Sequence, residues 1–205
     1  QVSRQPFKSY IPIYIYMAKN ENVYNHELKM LRDAVDHAGK KQGLEMINDP
    51  SILEIIEIVE EFLRKKERVC YGGTAINNIL PLQDQFYDKT SQFPDYDFFS
   101  PNALDDAKKL ADIYHKRGFK TVEAKAGMHH GTYKVYVNFI PVADITFLVP
   151  EIYESVFNSA KKVGGIYYAP PDLLRMGMYL ELSRPMGDTS RWEKVLKRLN
   201  LLTKH

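Results

Sequence analysis

The sequence predicts an α+β fold, in which a mixed sheet carries helices on one face and is flanked by N- and C-terminal helices. Apolar residues recur at helical spacing in 23–43 and again in 49–66, which predicts two helices before any strand. Short segments of alternating polarity between about 66 and 150 predict strands. Because first a single helix and then hairpins separate these strands, we expect a mixed sheet.

The N-terminal part is predicted to hold an extended arm and two helices. Residues 1–18 are rich in aromatic residues and contain Pro6 and Pro12, which favours an extended arm. The second helix is expected to begin after Asp49 as its N-cap, with Pro50 at its first position. Acidic residues fall early in this helix and basic residues late, as the helix dipole prefers.

The middle of the chain mixes short strands and helices. "RVCYGG" is predicted to be a short strand that ends in a glycine turn, and "TAINNILPL" to be a short helix stopped by a proline. We expect a polar loop at 83–93, strands at 95–99, 120–126, 132–140 and 142–150, and helices at 101–117, 152–163, 172–183 and 188–202, with a break at 164–171. The predicted units are an N-terminal arm and helix (1–48), a catalytic domain (49–165) and a C-terminal helical segment (166–205).

The composition is that of an ordinary globular domain. The 205 residues are 44% hydrophobic and 26% charged, with a net charge of +2, which neither demands nor excludes nucleic acid. A single cysteine, Cys70, rules out an intramolecular disulfide and favours a reducing compartment. No segment reaches the roughly 18 apolar residues that a membrane-spanning helix needs. We therefore expect a cytoplasmic protein without a membrane partner.

Two aspartates on one predicted strand are the first candidate site. Asp95 and Asp97 lie in "PDYDFFS", and residues two apart on a strand project to the same face. Two neighbouring carboxylates repel each other, and a divalent cation such as Mg²⁺, which prefers oxygen ligands, relieves that repulsion. Taken alone, the pair fits a solvated strand face equally well.

A glycine turn before a helix is the second candidate. Gly72, Gly73 and Thr74 join a strand to a helix, and the free N–H groups at a helix start bind phosphate. The Thr74 hydroxyl can add a hydrogen bond. The Walker pattern and the dinucleotide-binding pattern are both missing, so taken alone a simple turn and cap is the commoner interpretation.

A lone carboxylate in an apolar strand is the third candidate. Asp144 lies in "IPVADITFLVP", where burial of an unpaired charge is unfavourable. A basic partner such as Lys134 would be an ordinary explanation. Together, however, a glycine turn, two aspartates on the next strand and a third on a later strand are the parts of a two-metal phosphoryl-transfer site.

The stretches "GGT", "DYDFF" and "VADITF" resemble the signature of the DNA polymerase beta-like nucleotidyltransferase superfamily. "YGGTAINNILP", "FPDYDFFS", "GTYKVYVNFIPVADIT" and "LLRMGMYLELSRPMGDTSRWEKVLKRLNLL" are more specifically similar to the poly(A) polymerase catalytic subunits of large cytoplasmic DNA viruses. The resemblance covers about two thirds of the chain, from Tyr71 to Leu202. It implies a polymerase beta-like nucleotidyltransferase fold and transfer of AMP from ATP to RNA 3′ ends.

The resemblance also implies roles for individual residues. Asp95, Asp97 and Asp144 would be catalytic and would bind two Mg²⁺ ions, for which Mn²⁺ can substitute. The triphosphate would be bound by Gly72, Gly73, Thr74, Asn77, Lys134 and Arg175. The implied partners are ATP and an RNA 3′ end, with a homodimer or an accessory subunit left open, and the implied location is the host cytoplasm or the virion. A basic surface near the C-terminus could follow RNA phosphates or be a solvated helix face: Arg184, Arg191, Lys194, Lys197 and Arg198.

Two features depart from the family pattern. About ten residues separate the glycine turn from the aspartate pair in most superfamily members, whereas Gly73 and Asp95 here are 22 apart, with 82–93 as the insertion. The viral enzymes are also longer, so the chain is expected to be truncated or a short form. Two alternatives remain open: another nucleotidyltransferase that modifies tRNA or protein, and a degenerate domain that binds RNA or dimerises without catalysis.

Overall fold

A computed structural model describes residues 23–35, 37–38, 41, 49–87, 94–184 and 186–205. The predicted N-terminal arm and the second half of the insertion lie outside these residues. Residues 23–35 are helical (α1). The other helices are α2 (Pro50–Lys66), α3 (Gly72–Ile79), α4 (Ala103–Lys116), α5 (Pro150–Asn158), α6 (Pro171–Ser183) and α7 (Trp192–Thr203). The strands are β1 (Val69–Cys70), β2 (Tyr96–Ser100), β3 (Val122–Ala126), β4 (Thr132–Val137), β5 (Ile140–Phe147), β6 (Lys161–Val163) and β7 (Ile166–Tyr168).

The strands form one sheet in the order β3-β4-β5-β2-β1-β7-β6. The pairs β2–β5 and β1–β7 are parallel, and the remaining neighbours are antiparallel. The predicted mixed sheet with helices is therefore confirmed. In the part of the chain that the structure describes, no helix is both long and apolar enough to span a bilayer.

Helices α2 and α4 pack on one face of the sheet. From β2, Tyr96 and Phe98 point to this face: the Tyr96 hydroxyl donates to Glu60 on α2 at 2.7 Å, and the rings of Phe62 and Phe98 lie 6.1 Å apart. The alternate residue, Asp97, consequently points to the opposite face. We call that opposite side the carboxylate face.

The region after β5 differs from the prediction. Residues 161–163 are a strand, whereas a helix was predicted to continue through them, and the predicted break contains β7. The reason is a two-residue turn: Gly164 and Gly165 have φ of 58° and 83°, which suits the tight hairpin turns that need positive φ at both central residues. Because β7 pairs with β1, the sheet continues past the predicted domain boundary at residue 165.

The start of α4 also differs in detail. Ser100 ends β2, and the helix begins at Ala103. The Ser100 hydroxyl accepts from the Asn102 N–H at 2.9 Å and donates to Asp106 at 2.6 Å. Asp106 also binds the Arg68 guanidinium at 2.6 Å and is fully buried. This network fixes β1 and β2 against α4, and thereby sets the position of the strands that carry the site.

Candidate active site

The structure brings the three predicted carboxylates together. Strands β2 and β5 are parallel neighbours, and Asp97 is directly paired with Asp144. Asp95 lies just before β2, two residues from Asp97, and its side chain is open to solvent on one side although protein atoms surround much of the rest. Since directly paired residues of adjacent strands share a face, Asp97 and Asp144 are both presented on the carboxylate face, and Asp95 lies near enough for its charge to act on Asp97.

Crowding of negative charge changes the titration of the aspartate pair. Burial, followed by the charges of Asp95 and Asp144, raises the pKa of Asp97 to about 7, and the positive charges of Lys134 and Arg191 only partly oppose this. Loss of water contact and the charge of Asp144 likewise raise the pKa of Asp95 above its usual range. The site therefore has an excess of negative charge that a cation would stabilise.

Lys134 supplies part of the opposing charge. It is paired with Asp144 across β4 and β5, and its ammonium group forms an ion pair with the Asp144 carboxylate. Hydrogen bonding and attraction to Asp144 raise the pKa of Lys134 despite its partial burial. Because β5 and β2 lie between β4 and β1, Lys134 is on the far side of the carboxylates from the glycine turn. That position gives no support to the predicted contact with the triphosphate.

The donor set of the three acids fits divalent metal ions. The three acids are oxygen donors of the type that Mg²⁺ prefers, and the pKa of Asp97 is raised by burial and, second, by the charges of Asp95 and Asp144, which a metal ion would offset. Within the described ranges, no three acidic, histidine or cysteine side chains are already arranged around a common point. Metal binding would therefore require these carboxylates to rotate toward a common point.

The glycine turn lies directly against Asp97. The Tyr71 N–H donates to the Asp97 carbonyl at 2.9 Å, and the Tyr71 ring stacks on Phe99 with centroids 4.1 Å apart. Gly72 has φ of +69°, and a Cβ at this position would overlap the Asp97 carboxylate. A side chain is thus excluded both by conformation and by space. The turn brings the start of α3 to the edge of the acidic cluster.

Two predicted contacts on α3 have other partners. The Thr74 hydroxyl donates to the Asp95 carbonyl at 2.6 Å and is buried, so its proton is already engaged. Asn77 is also buried, and its carbonyl oxygen accepts from the N–H groups of Phe86 and Tyr87, both at 2.8 Å. In this structure Thr74 positions Asp95 and Asn77 anchors Phe86 and Tyr87 of the insertion, and the phosphate contacts of Thr74 and Asn77 stay predictions.

The anchored start of the insertion reaches the glycine turn. A Cβ on Gly73 would overlap the Tyr87 hydroxyl and would lie 2.8 Å from the Arg198 guanidinium. Arg198 donates to the Tyr87 hydroxyl at 2.7 Å and lies 4.9 Å from the Phe86 ring centroid and 5.3 Å from that of Tyr87. The first described residues of the insertion therefore hold a cation beside the start of α3.

Arg198 belongs to a row of cations on α7. The sequence does not predict that this row binds the triphosphate. Arg191, Lys194 and Arg198 are spaced by three and four residues, so they share one face of the helix and its preceding turn. Arg191 and Lys194 act electrostatically on Asp95. Partial burial and the charges of Arg198 and Arg191 lower the pKa of Lys194. The helical spacing of these three cations is visible in the sequence. From the sequence alone, it predicts either a solvated helix face or an RNA-binding surface.

Arg175 was predicted to contact the nucleotide, but the structure uses it elsewhere. Its guanidinium donates to the Leu202 carbonyl at 3.1 Å and to the Asp172 carboxylate at 2.6 Å. These bonds connect α6 to the end of α7. The arginine that lies beside the glycine turn is therefore Arg198 rather than Arg175.

Comparison with known proteins gives a consistent result. Residues 57–188 match the family described as "Poly(A) polymerase catalytic subunit". An African swine fever virus protein described as a poly(A) polymerase catalytic subunit is 35% identical over 164 residues, which is 77% of this chain and 34% of that protein. A protein of Acanthamoeba polyphaga mimivirus with the same description is 32% identical over 163 residues, covering 76% of this chain and 27% of its own length.

A solved structure shares the whole fold. The Megavirus polyadenylate synthase superposes with a TM-score of 0.76 at 28% identity, covering 100% of this chain and 39% of its own. The chain thus spans about a third of the length of the curated relatives that it matches.

Proposed function

The chain belongs to the family of poly(A) polymerase catalytic subunits, and we propose that it transfers AMP from ATP to the 3′ end of RNA without a template. The observation that carries this proposal is the meeting of Asp97 and Asp144 on adjacent parallel strands beside the Gly72 turn. Carboxylates and free helix amides side by side form a site for a metal-bound triphosphate.

The carboxylates are proposed to hold two Mg²⁺ ions, for which Mn²⁺ can substitute. Asp95, Asp97 and Asp144 would supply the carboxylate oxygens that hold these ions. When bound, such ions would activate the attacking 3′-hydroxyl and neutralise the departing pyrophosphate. Thr74 contributes by fixing the Asp95 backbone through its 2.6 Å hydrogen bond. Lys134 forms an ion pair with Asp144 and partly balances the negative charge of the cluster.

The triphosphate is proposed to lie between the glycine turn and α7. The N–H groups of Gly72 and Gly73 are at the start of α3, where the backbone donors are free of helical partners. Arg198 stands next to Gly73 and offers guanidinium donors suited to phosphate oxygens. Lys194, one turn earlier, adds a second charge between Arg198 and Asp95.

Selectivity for ATP, the location and the partners rest on the family relationship. The match to a family described as a catalytic subunit supports an accessory subunit as a partner. Cys70 is a buried free thiol, which suits a reducing compartment, and we propose the host cytoplasm or the virion.

The proposal is tested by incubating the chain with a labelled RNA primer, Mg²⁺ or Mn²⁺, and each of the four ribonucleoside triphosphates in turn. We expect extension with ATP and much less with the other nucleotides. Extension with every nucleotide would retain nucleotidyl transfer but refute selectivity for ATP. Labelling of tRNA or of the protein itself, without primer extension, would favour a different nucleotidyltransferase. RNA binding without any transfer would favour a non-catalytic domain.

A further inference from the structure

A row of cationic and aromatic side chains extends the carboxylate face beyond Asp144. Across β3, β4 and β5, Lys125 is paired with Lys134, and Lys134 with Asp144. Tyr136 is paired with Glu123 one step along the same ladder. Because paired residues share a face of the sheet, these side chains all lie on the carboxylate face. We call Lys125, Lys134 and Tyr136 the β3–β4 strip.

The strip is open to solvent and rests on a packed support. The side chain of Lys125 is 54% exposed, and its ammonium group lies 4.2 Å from the Tyr136 ring centroid and 3.2 Å from the Glu123 carboxylate. On the other face of β4, Val135 and Val137 are fully buried. An ammonium group next to an aromatic ring can bind a backbone phosphate and an unstacked base of a single strand.

The proposed reaction defines the side from which RNA approaches. The attacking and leaving oxygens lie in line on opposite sides of the transferred phosphorus. If the β- and γ-phosphates lie at the glycine turn next to β1, the attacking oxygen must come from the far side of the carboxylates. In the sheet order that side is β5, β4 and β3. Neighbouring strands are about 4.8 Å apart, so Lys125 lies within reach of the last nucleotides of the acceptor.

We propose that the β3–β4 strip binds the 3′-terminal nucleotides of the RNA acceptor, with Lys125 on a phosphate and Tyr136 on a base or ribose. This inference rests on the proposed function, because that function fixes the direction of attack. It gives Lys134 a place beside the acceptor rather than the triphosphate. The proposal also predicts that Glu123 weakens RNA binding, because its carboxylate lies next to Lys125 and repels phosphate.

The test measures RNA affinity and nucleotide transfer separately. In fluorescence anisotropy without ATP, a labelled RNA of about 12 nucleotides, within the range of single-strand sites, is titrated at several salt concentrations. For Lys125→Ala we expect weaker binding and a loss of about 0.7 from the slope of log K against log salt, the value for one phosphate contact on a single strand. Glu123→Gln should bind RNA more tightly. In primer extension, Lys125→Ala should raise KM for RNA and leave KM for ATP unchanged.

A matched control lies at the other edge of the sheet. Lys162 on β6 is also exposed and lies 4.6 Å from the ring centroid of Tyr167, so Lys162→Ala removes the same kind of pair far from the acceptor side. We expect it to bind RNA like the wild type. Equal losses for Lys162→Ala and Lys125→Ala, an unchanged slope for Lys125→Ala, or a raised KM for ATP would each overturn the inference. If the wild type transfers no nucleotide but the expected binding differences hold, the proposed function fails while the strip remains an RNA-binding surface.

Discussion

Replacement of Gly72 by alanine should damage both the fold and the site, and its effect can be estimated from the geometry. At φ of +69°, a residue with a Cβ loses about 1–2 kcal/mol relative to glycine. The new methyl group would overlap the Asp97 carboxylate, and forcing Asp97 away from its preferred rotamer adds about 0.5–1.5 kcal/mol. We therefore expect Gly72→Ala to lower the free energy of unfolding by about 1.5–3.5 kcal/mol.

Urea and thermal unfolding, followed by circular dichroism, measure this change. For a chain of this size, about 1.5–3.5 kcal/mol corresponds to a fall in Tm of roughly 3–14 °C, so we expect the protein to stay folded at room temperature. Since Asp97 is displaced, nucleotide transfer should fall about 100-fold, the order expected for a misplacement of about 1 Å. The variant should therefore be folded but nearly inactive.

Gly177 provides the matched control. It lies inside α6, and among the described residues no atom comes within 4 Å of a Cβ built at this position. Gly177→Ala should raise stability by about 1 kcal/mol, because alanine is the better helix former, and leave transfer unchanged. If Gly72→Ala is as stable and as active as the wild type, Asp97 does not depend on the glycine turn, and our account of the turn is wrong.

Three further predictions follow from single contacts. In metal-free buffer, the free energy of unfolding should fall as pH rises from about 4 to about 7, because folded Asp97 keeps its proton up to a pKa of about 7 and the unfolded residue loses it near 3.8. Asp97→Asn should remove most of this fall in urea titrations. If the variant and the wild type have identical pH profiles, the raised pKa does not belong to Asp97. Asp106→Ala should lower stability by about 3–5 kcal/mol in urea unfolding by leaving the Arg68 charge poorly solvated and unpaired, and a loss below about 1 kcal/mol would show that the pair is unimportant. Arg198→Ala should raise KM for ATP in steady-state kinetics, whereas Arg175→Ala should not. The reverse result would support Arg175 as the arginine that binds the triphosphate, as the sequence predicts.

The position of the three carboxylates could be predicted from the sequence because strand periodicity controls it. A spacing of two places Asp95 and Asp97 on one face whatever the rest of the fold does. Asp144 stood out because an acid in an apolar strand needs a partner. The structure adds that its present partner is Lys134 and that β5 lies directly beside β2.

The cations around the site could not be assigned in the same way, because tertiary packing decides which of them arrive. Arg175 and Arg198 both lie on C-terminal helices, and only the packing of α7 over the start of α3 shows that Arg198 is the one beside Gly73. The sequence predicts that Lys134 lies close to the acids and to the triphosphate. The sheet order places it beside the acids, but on the side that faces away from Gly72 and Gly73. The hairpin at Gly164 and Gly165 was missed although a two-glycine turn is a recognisable signal.

The central claim is that Asp144 and the aspartate pair form one catalytic site with the glycine turn. The most direct test is the rate of AMP transfer to an RNA primer in a single turnover, with wild-type protein and Asp144→Asn compared at saturating ATP and Mg²⁺. We predict a loss of at least about 1,000-fold, as when a group that acts only in the transition state is removed, with Tm within a few degrees of the wild type. A folded Asp144→Asn protein that transfers AMP at the wild-type rate would contradict the account.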